Sequence, residues 1–134
     1  MRRLLPATLL VSAGAIGYEL LLMRLLSIVQ WHHFAYMIIS LALLGYGASG
    51  TFIALFRQRL ARNFETAFAL AAFLFSVTIL AAFALGQRVP FNALEVAWDV
   101  RQLGYLGLMY LIFFVPFFFA AVSIGLAFTC HGRL

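Results

Sequence analysis

The chain contains no lysine, a single cysteine, Cys130, and only four acidic residues in a length of 134. One cysteine excludes an internal disulfide, and Cys130, His32, His33 and His131 do not stand at the spacings that close a zinc site. Charged residues make up 10% of the chain, against about 25% in soluble domains. That is too few to cover a globular surface. The nine arginines produce a formal charge of +5, yet they are scattered between apolar runs instead of lying along one face. This pattern argues against nucleic acid as the partner and for membrane topology as the cause.

What fills the chain is apolar. Hydrophobic residues account for 66% and mean hydropathy is +1.06. Four long runs, broken by short arginine-bearing punctuation, each reach the ~20 residues that a helix needs to cross a bilayer core of ~30 Å. The expected fold is therefore an all-α integral membrane protein, a single four-helix transmembrane domain over residues 1–134. Its spans fall at about 4–28, 33–56, 64–85 and 103–128, with a short interfacial helix at about 93–102.

Arg2, Arg3, an apolar stretch and Ala13-Gly14-Ala15 imitate a secretion signal. Apolarity resumes after Glu19 and lasts to Ile28, too long for a signal core, so the segment is read as an uncleaved first span. Val29 to His33 is too short to be a domain and makes spans 1 and 2 a helical hairpin. A basic turn, Arg57-Gln58-Arg59-Leu60-Ala61-Arg62, follows span 2, and Asn63 is placed to cap the next helix with Glu65 near its positive end. Asn92 and Glu95 have capping-box spacing and are expected to start the interfacial helix. Run together with span 4, that helix would be ~54 Å long, which predicts a bend at Gly104 and Gly107. Pro116 is expected to kink span 4.

Arginine counting sets the expected orientation. Arg2, Arg3, Arg57, Arg59, Arg62 and Arg133 lie on one side and Arg88 and Arg101 on the other, so both termini are expected to be cytoplasmic, in a bacterial cytoplasmic membrane. Trp31, Tyr36, Trp98 and Tyr105 then form an aromatic belt on the outer side.

Few residues carry chemistry. Gly45-Tyr46-Gly47-Ala48-Ser49-Gly50 has the form of a dinucleotide fingerprint, but it lies inside a membrane helix without a preceding strand. Gly45, Gly47, Ser49 and Gly50 are read instead as small residues for close helix packing. His32 and His33 invite a haem or pigment ligand. His131, however, is expected ~35 Å away at the other membrane face, so no two-histidine clamp forms within the chain, and interfacial anchoring is the ordinary alternative. Five phenylalanines around Pro116 suit lipid contact or packing, and Ser76, Thr78, Ser123 and Thr129 can satisfy themselves on carbonyls one turn back. Glu19 and Arg24, five apart, point about 140° away from each other on a helix and cannot form an ideal pair. Arg24 can snorkel to the outer interface. Glu19 lies deeper and needs a proton, a partner or water.

Gly14 and Gly17, Tyr18-Glu19, Arg24-Leu25-Leu26 and Leu44 to Gly50 together resemble the start of the membrane-embedded spermidine synthase-like proteins, over residues 1–56. In that family a transporter-like helical domain precedes a cytoplasmic aminopropyltransferase-like domain. The resemblance implies the helical architecture and a Tyr18-Glu19-Arg24 motif. It does not carry over aminopropyl transfer, because no soluble α/β segment follows span 4; the chain is expected to be an N-terminal membrane fragment or a small protein retaining that portion alone.

No nucleophile, base or metal constellation stands out, and four spans offer little polar lining. The expected function is thus a non-catalytic structural or assembly subunit of a larger membrane complex, in contact with lipid and other integral membrane subunits, with no cofactor and no enzyme activity. The alternatives are half of an ion or solute pathway centred on Glu19, and a haem or pigment accessory using His32 or His33.

Overall fold

The computed structural model describes residues 4–29, 33–90, 92, 94–95 and 97–131. Within a bilayer every backbone amide and carbonyl must be paired inside the protein, and a helix does this locally. The four apolar runs accordingly form α1 (Leu4–Val29), α2 (His33–Leu55), α4 (Phe64–Gly86) and α5 (Val100–His131), with the six-residue α3 (Arg57–Arg62) between α2 and α4. All four long helices are long and apolar enough to cross a membrane. The protein is an all-α membrane protein. No described residue has a positive φ or a cis peptide bond, so the glycines within the helices are not there for an unusual backbone.

α5 is the axis of the bundle. It packs extensively against both α2 and α4, and also meets α1, which pairs with α2 as a hairpin. Gly45 faces Phe117 and Gly125 faces Ile53, so α2 and α5 run parallel. Gly86 of α4 receives the ring of Phe113, while Ala71 clusters with Val122 and Leu126, so α4 runs antiparallel to α5. The main core gathers Tyr18, Leu22, Leu26, Ile38, Leu41 and Phe117. α4 reaches α1 through the Phe75 ring, 3.3 Å from where a Cβ on Gly14 would sit.

Three local expectations are corrected. The short helix of this fold is α3, whereas the segment expected as an interfacial helix at 93–102 forms turns through its described residues until α5 begins at Val100. Side-chain bonds explain this. The Asn92 Oδ1 accepts from the Leu94 amide at 3.2 Å, a local bond that competes with helix, and the Asn92 Nδ2 donates to Glu95 Oε1 at 3.1 Å. Gln102, buried at 6% exposure, then clasps the segment: its Nε2 donates to Glu95 Oε2 and its Oε1 accepts from the Asn92 amide, both at 3.2 Å. Asp99 is what caps α5, its Oδ1 accepting from the Arg101 amide at 2.9 Å. The break thus falls before α5, which runs unbroken through Gly104, Gly107 and Pro116. Asn63 stands at the start of α4 but makes no side-chain cap bond; its carbonyl accepts from the Ala67 amide at 2.9 Å. Trp31 of the expected aromatic belt lies outside the described residues, while Trp98 stands 90% exposed at the α4–α5 end of the bundle.

Candidate functional site

The Tyr18-Glu19-Arg24 motif sits on α1 and spreads over three directions, because a helix turns ~100° per residue. Tyr18 points into the core, 5% exposed, with its ring centroid 5.1 Å from that of Phe117 at an interplanar angle of 53°. Its hydroxyl is buried and has no hydrogen-bond partner among the described residues. Glu19 is half-buried at the edge of the hairpin, with Tyr46 of α2 within electrostatic reach. Arg24 is exposed on the outer surface of α1, and among the described residues it makes no ion pair with Glu19.

The glycine-rich segment of α2 divides between two faces. On the inner face, Gly45 and Ser49 are buried. A Cβ on Gly45 would lie 2.9 Å from the Phe117 Cβ and 3.1 Å from the Phe117 carbonyl carbon, so here two backbones meet with nothing between them. Ser49 satisfies its hydroxyl within α2, donating to the Tyr46 carbonyl at 2.8 Å. On the outer face, Gly47 and Gly50 are exposed, and among the described residues no other part of the bundle comes within 4 Å of an added Cβ. Ser40, Thr51 and Ala54 are exposed alongside them, so at helical spacing small residues make up much of a ridge that also carries Leu43 and Leu44 and is directed away from the bundle.

Phe117 joins the two halves of this arrangement, since it touches Tyr18 of α1 with its ring and Gly45 of α2 with its Cβ. Sequence reasoning placed it in a run of five phenylalanines without distinguishing it. The signal lay only in the register of α5, where Phe113, Phe117 and Ala120 repeat on the buried face. Ser76, Thr78, Ser123 and Thr129 each donate to a carbonyl three or four residues back, at 2.7 to 3.1 Å, and so bring no free polar group to the site. His32 lies outside the described residues, and of His33 only its place as the first residue of α2 is described. Among the described residues no group of three His, Cys, Asp or Glu side chains is placed to hold a metal ion.

No known family, curated protein or solved structure matches the chain.

The orphan hydroxyl of Tyr18 yields a direct test. A buried, unpaired hydroxyl carries its full desolvation cost, and removing it relieves that cost without opening a void. Tyr18→Phe is therefore expected to stabilise the bundle by about 1 kcal/mol, read as a higher thermal midpoint in detergent. A lower midpoint would mean that the hydroxyl is paired in the folded protein.

Proposed function

We propose that the protein is a non-catalytic membrane subunit that helps to assemble a larger membrane complex, docking another helix on the outer ridge of α2. The observation that carries this reading is the presence of two small-residue faces on one helix. The inner one, at Gly45 and Ser49, is filled by α5, whereas the outer one, at Gly47 and Gly50, is left open. In lipid there is little hydrophobic gain from bringing helices together, so close backbone approach over small residues is the main route to association. Glycine inside a helix also costs about 1 kcal/mol relative to alanine. A second glycine face with no internal contact is explained if another helix fills it.

Glu19 supports the same reading. A carboxyl group at membrane depth is costly unless it meets a polar partner, and Glu19 is half-buried on α1, with Tyr46 of α2 within electrostatic reach, where a docked helix could supply that partner. In this reading both termini face the cytoplasm of a bacterial inner membrane, as the arginine distribution suggests. The Tyr18-Glu19-Arg24 motif is then a membrane-domain feature shared with the spermidine synthase-like proteins, with no aminopropyl transfer implied.

The test is affinity purification from native membranes in mild detergent. The chain should bring with it another integral membrane protein, and Gly47→Leu with Gly50→Leu should cut recovery of that partner about tenfold, equivalent to ~1.4 kcal/mol of helix contact. The doubly substituted chain should keep its own thermal midpoint, because both sites are open within the bundle. A wild-type chain that elutes as a stable monomer and brings down no membrane protein would refute the assignment.

A further inference from the structure

At the end of the bundle opposite Trp98, the last turn of α2, α3, the first turn of α4 and the end of α5 enclose a cavity of about 100 Å³. Its walls include Ile53, Leu60, Phe64 and Leu126, and Arg57 and Thr129 stand at its exposed rim. The Thr129 hydroxyl is already used, donating to the Leu126 carbonyl at 2.9 Å. Among the described residues that line the pocket, Arg57 is thus the one that carries a charge, and the walls beneath its guanidinium are apolar.

The depth of this pocket identifies what it meets. Arg57 follows two residues after the end of the α2 span at Leu55, and Phe64 opens the α4 span. α3 therefore lies where hydrocarbon gives way to headgroups, the layer that holds lipid phosphates. Arg57, Arg59 and Arg62 are all exposed there, and the only carboxylate between residues 50 and 85 is Glu65, exposed in the first turn of α4. Arginines at a span end are ordinarily explained by topology alone, and Arg59 and Arg62 fit that account, since neither lines the cavity; Arg59 borders only a surface groove of residues 54–59, which Arg57 shares. Arg57 differs by having an apolar pocket beneath it.

We propose that this pocket binds one anionic glycerophospholipid, its phosphate held at the Arg57 guanidinium and the upper part of an acyl chain laid against Ile53, Leu60, Phe64 and Leu126. A guanidinium offers a planar, permanently charged fork that suits phosphate oxygens, and the apolar walls suit methylene groups. The site draws on residues other than those of the docking ridge: Ile53 is buried, whereas Gly47 and Gly50 are exposed and do not line the cavity.

The experiment uses the full chain, delipidated in detergent and then incubated with vesicles of either phosphatidylglycerol or phosphatidylcholine, with retained lipid counted by native mass spectrometry. One phosphatidylglycerol per chain is expected to be retained in preference to phosphatidylcholine. Arg57→Ala should lower that retention about fivefold, the effect of one basic residue at an anionic surface, whereas Arg59→Ala should change it less than twofold. Thr129→Trp fills the mouth without altering any charge and should also expel the lipid. Circular dichroism on each variant establishes that the helices are kept, and because two independent variants address the pocket, misfolding of one leaves the other as the test. Equal retention of the two lipids, equal losses for Arg57→Ala and Arg59→Ala, or full retention by Thr129→Trp would overturn the proposal. Displacement of the lipid by millimolar inorganic phosphate would show a phosphate site without an acyl-chain pocket, and would also overturn it.

Discussion

Phe117→Ala should cost the bundle about 3 to 5 kcal/mol, the range for deleting a buried aromatic ring and leaving its cavity. Phe117 has no exposed surface, its ring meets Tyr18, and its backbone lies against Gly45. The cost is high for a reason particular to membranes. Lipid tails are as apolar as leucine, so the helices are held together chiefly by the contacts of a close-packed interface and not by exclusion of water. A void at the junction of α1, α2 and α5 removes such contacts on three sides. The measurement is the free energy of unfolding from titration with a denaturing detergent, with Phe73→Ala as the comparison, since Phe73 is 64% exposed on α4. Phe73→Ala should be close to neutral. Equal effects at the two sites would contradict the central position of α5.

Gly45→Leu should separate α2 from α5 at a comparable cost, about 3 kcal/mol or more, as for overpacking an interface that cannot yield. The atoms an added Cβ would strike are the Cβ and backbone of Phe117 and the backbone nitrogen of Phe118. None of them is the end of a flexible side chain, so relief requires the helices to move apart. Gly47→Leu, two residues on and pointing into open space, should leave the unfolding midpoint within experimental error and gain slightly from the better helix propensity of leucine. The pair separates packing inside the bundle from any role outside it. If Gly47→Leu destabilises the isolated chain as strongly as Gly45→Leu, the division of α2 into an inner and an outer face is refuted.

That division marks the limit of what could be read from the residues. The four helices were legible because a membrane leaves the backbone almost no alternative, and run length alone locates them. Facing was not legible. In a soluble helix polar residues mark the outside, but here Leu43 and Leu44 face outward and Leu41 inward with identical chemistry, and the same ambiguity covers Gly45 and Gly47. Phe117 was hidden among its neighbours for that reason. The α4–α5 connection was misread for a different one: Asn92 and Glu95 have the spacing of a helix start, but the Asn92 carboxamide bonds two residues ahead and Gln102, seven residues beyond Glu95, captures the carboxylate. A contact of that range has no local signature. Tyr18 and Glu19 are adjacent in the Tyr18-Glu19-Arg24 motif, yet only the helix register shows that one enters the core and the other stays at its edge.

The helix at the centre of the bundle is synthesised after the three that pack around it. When a ribosome has delivered residues up to Gly86, α1 and α2 can close as a hairpin, but α4 has entered the bilayer with its principal partner still untranslated. Its glycine and alanine contact points, Ala71, Ala82 and Gly86, must meanwhile face lipid. The nascent chain therefore passes through an interval of incomplete assembly that ends only when α5 inserts, and membrane quality control has access to it during that interval.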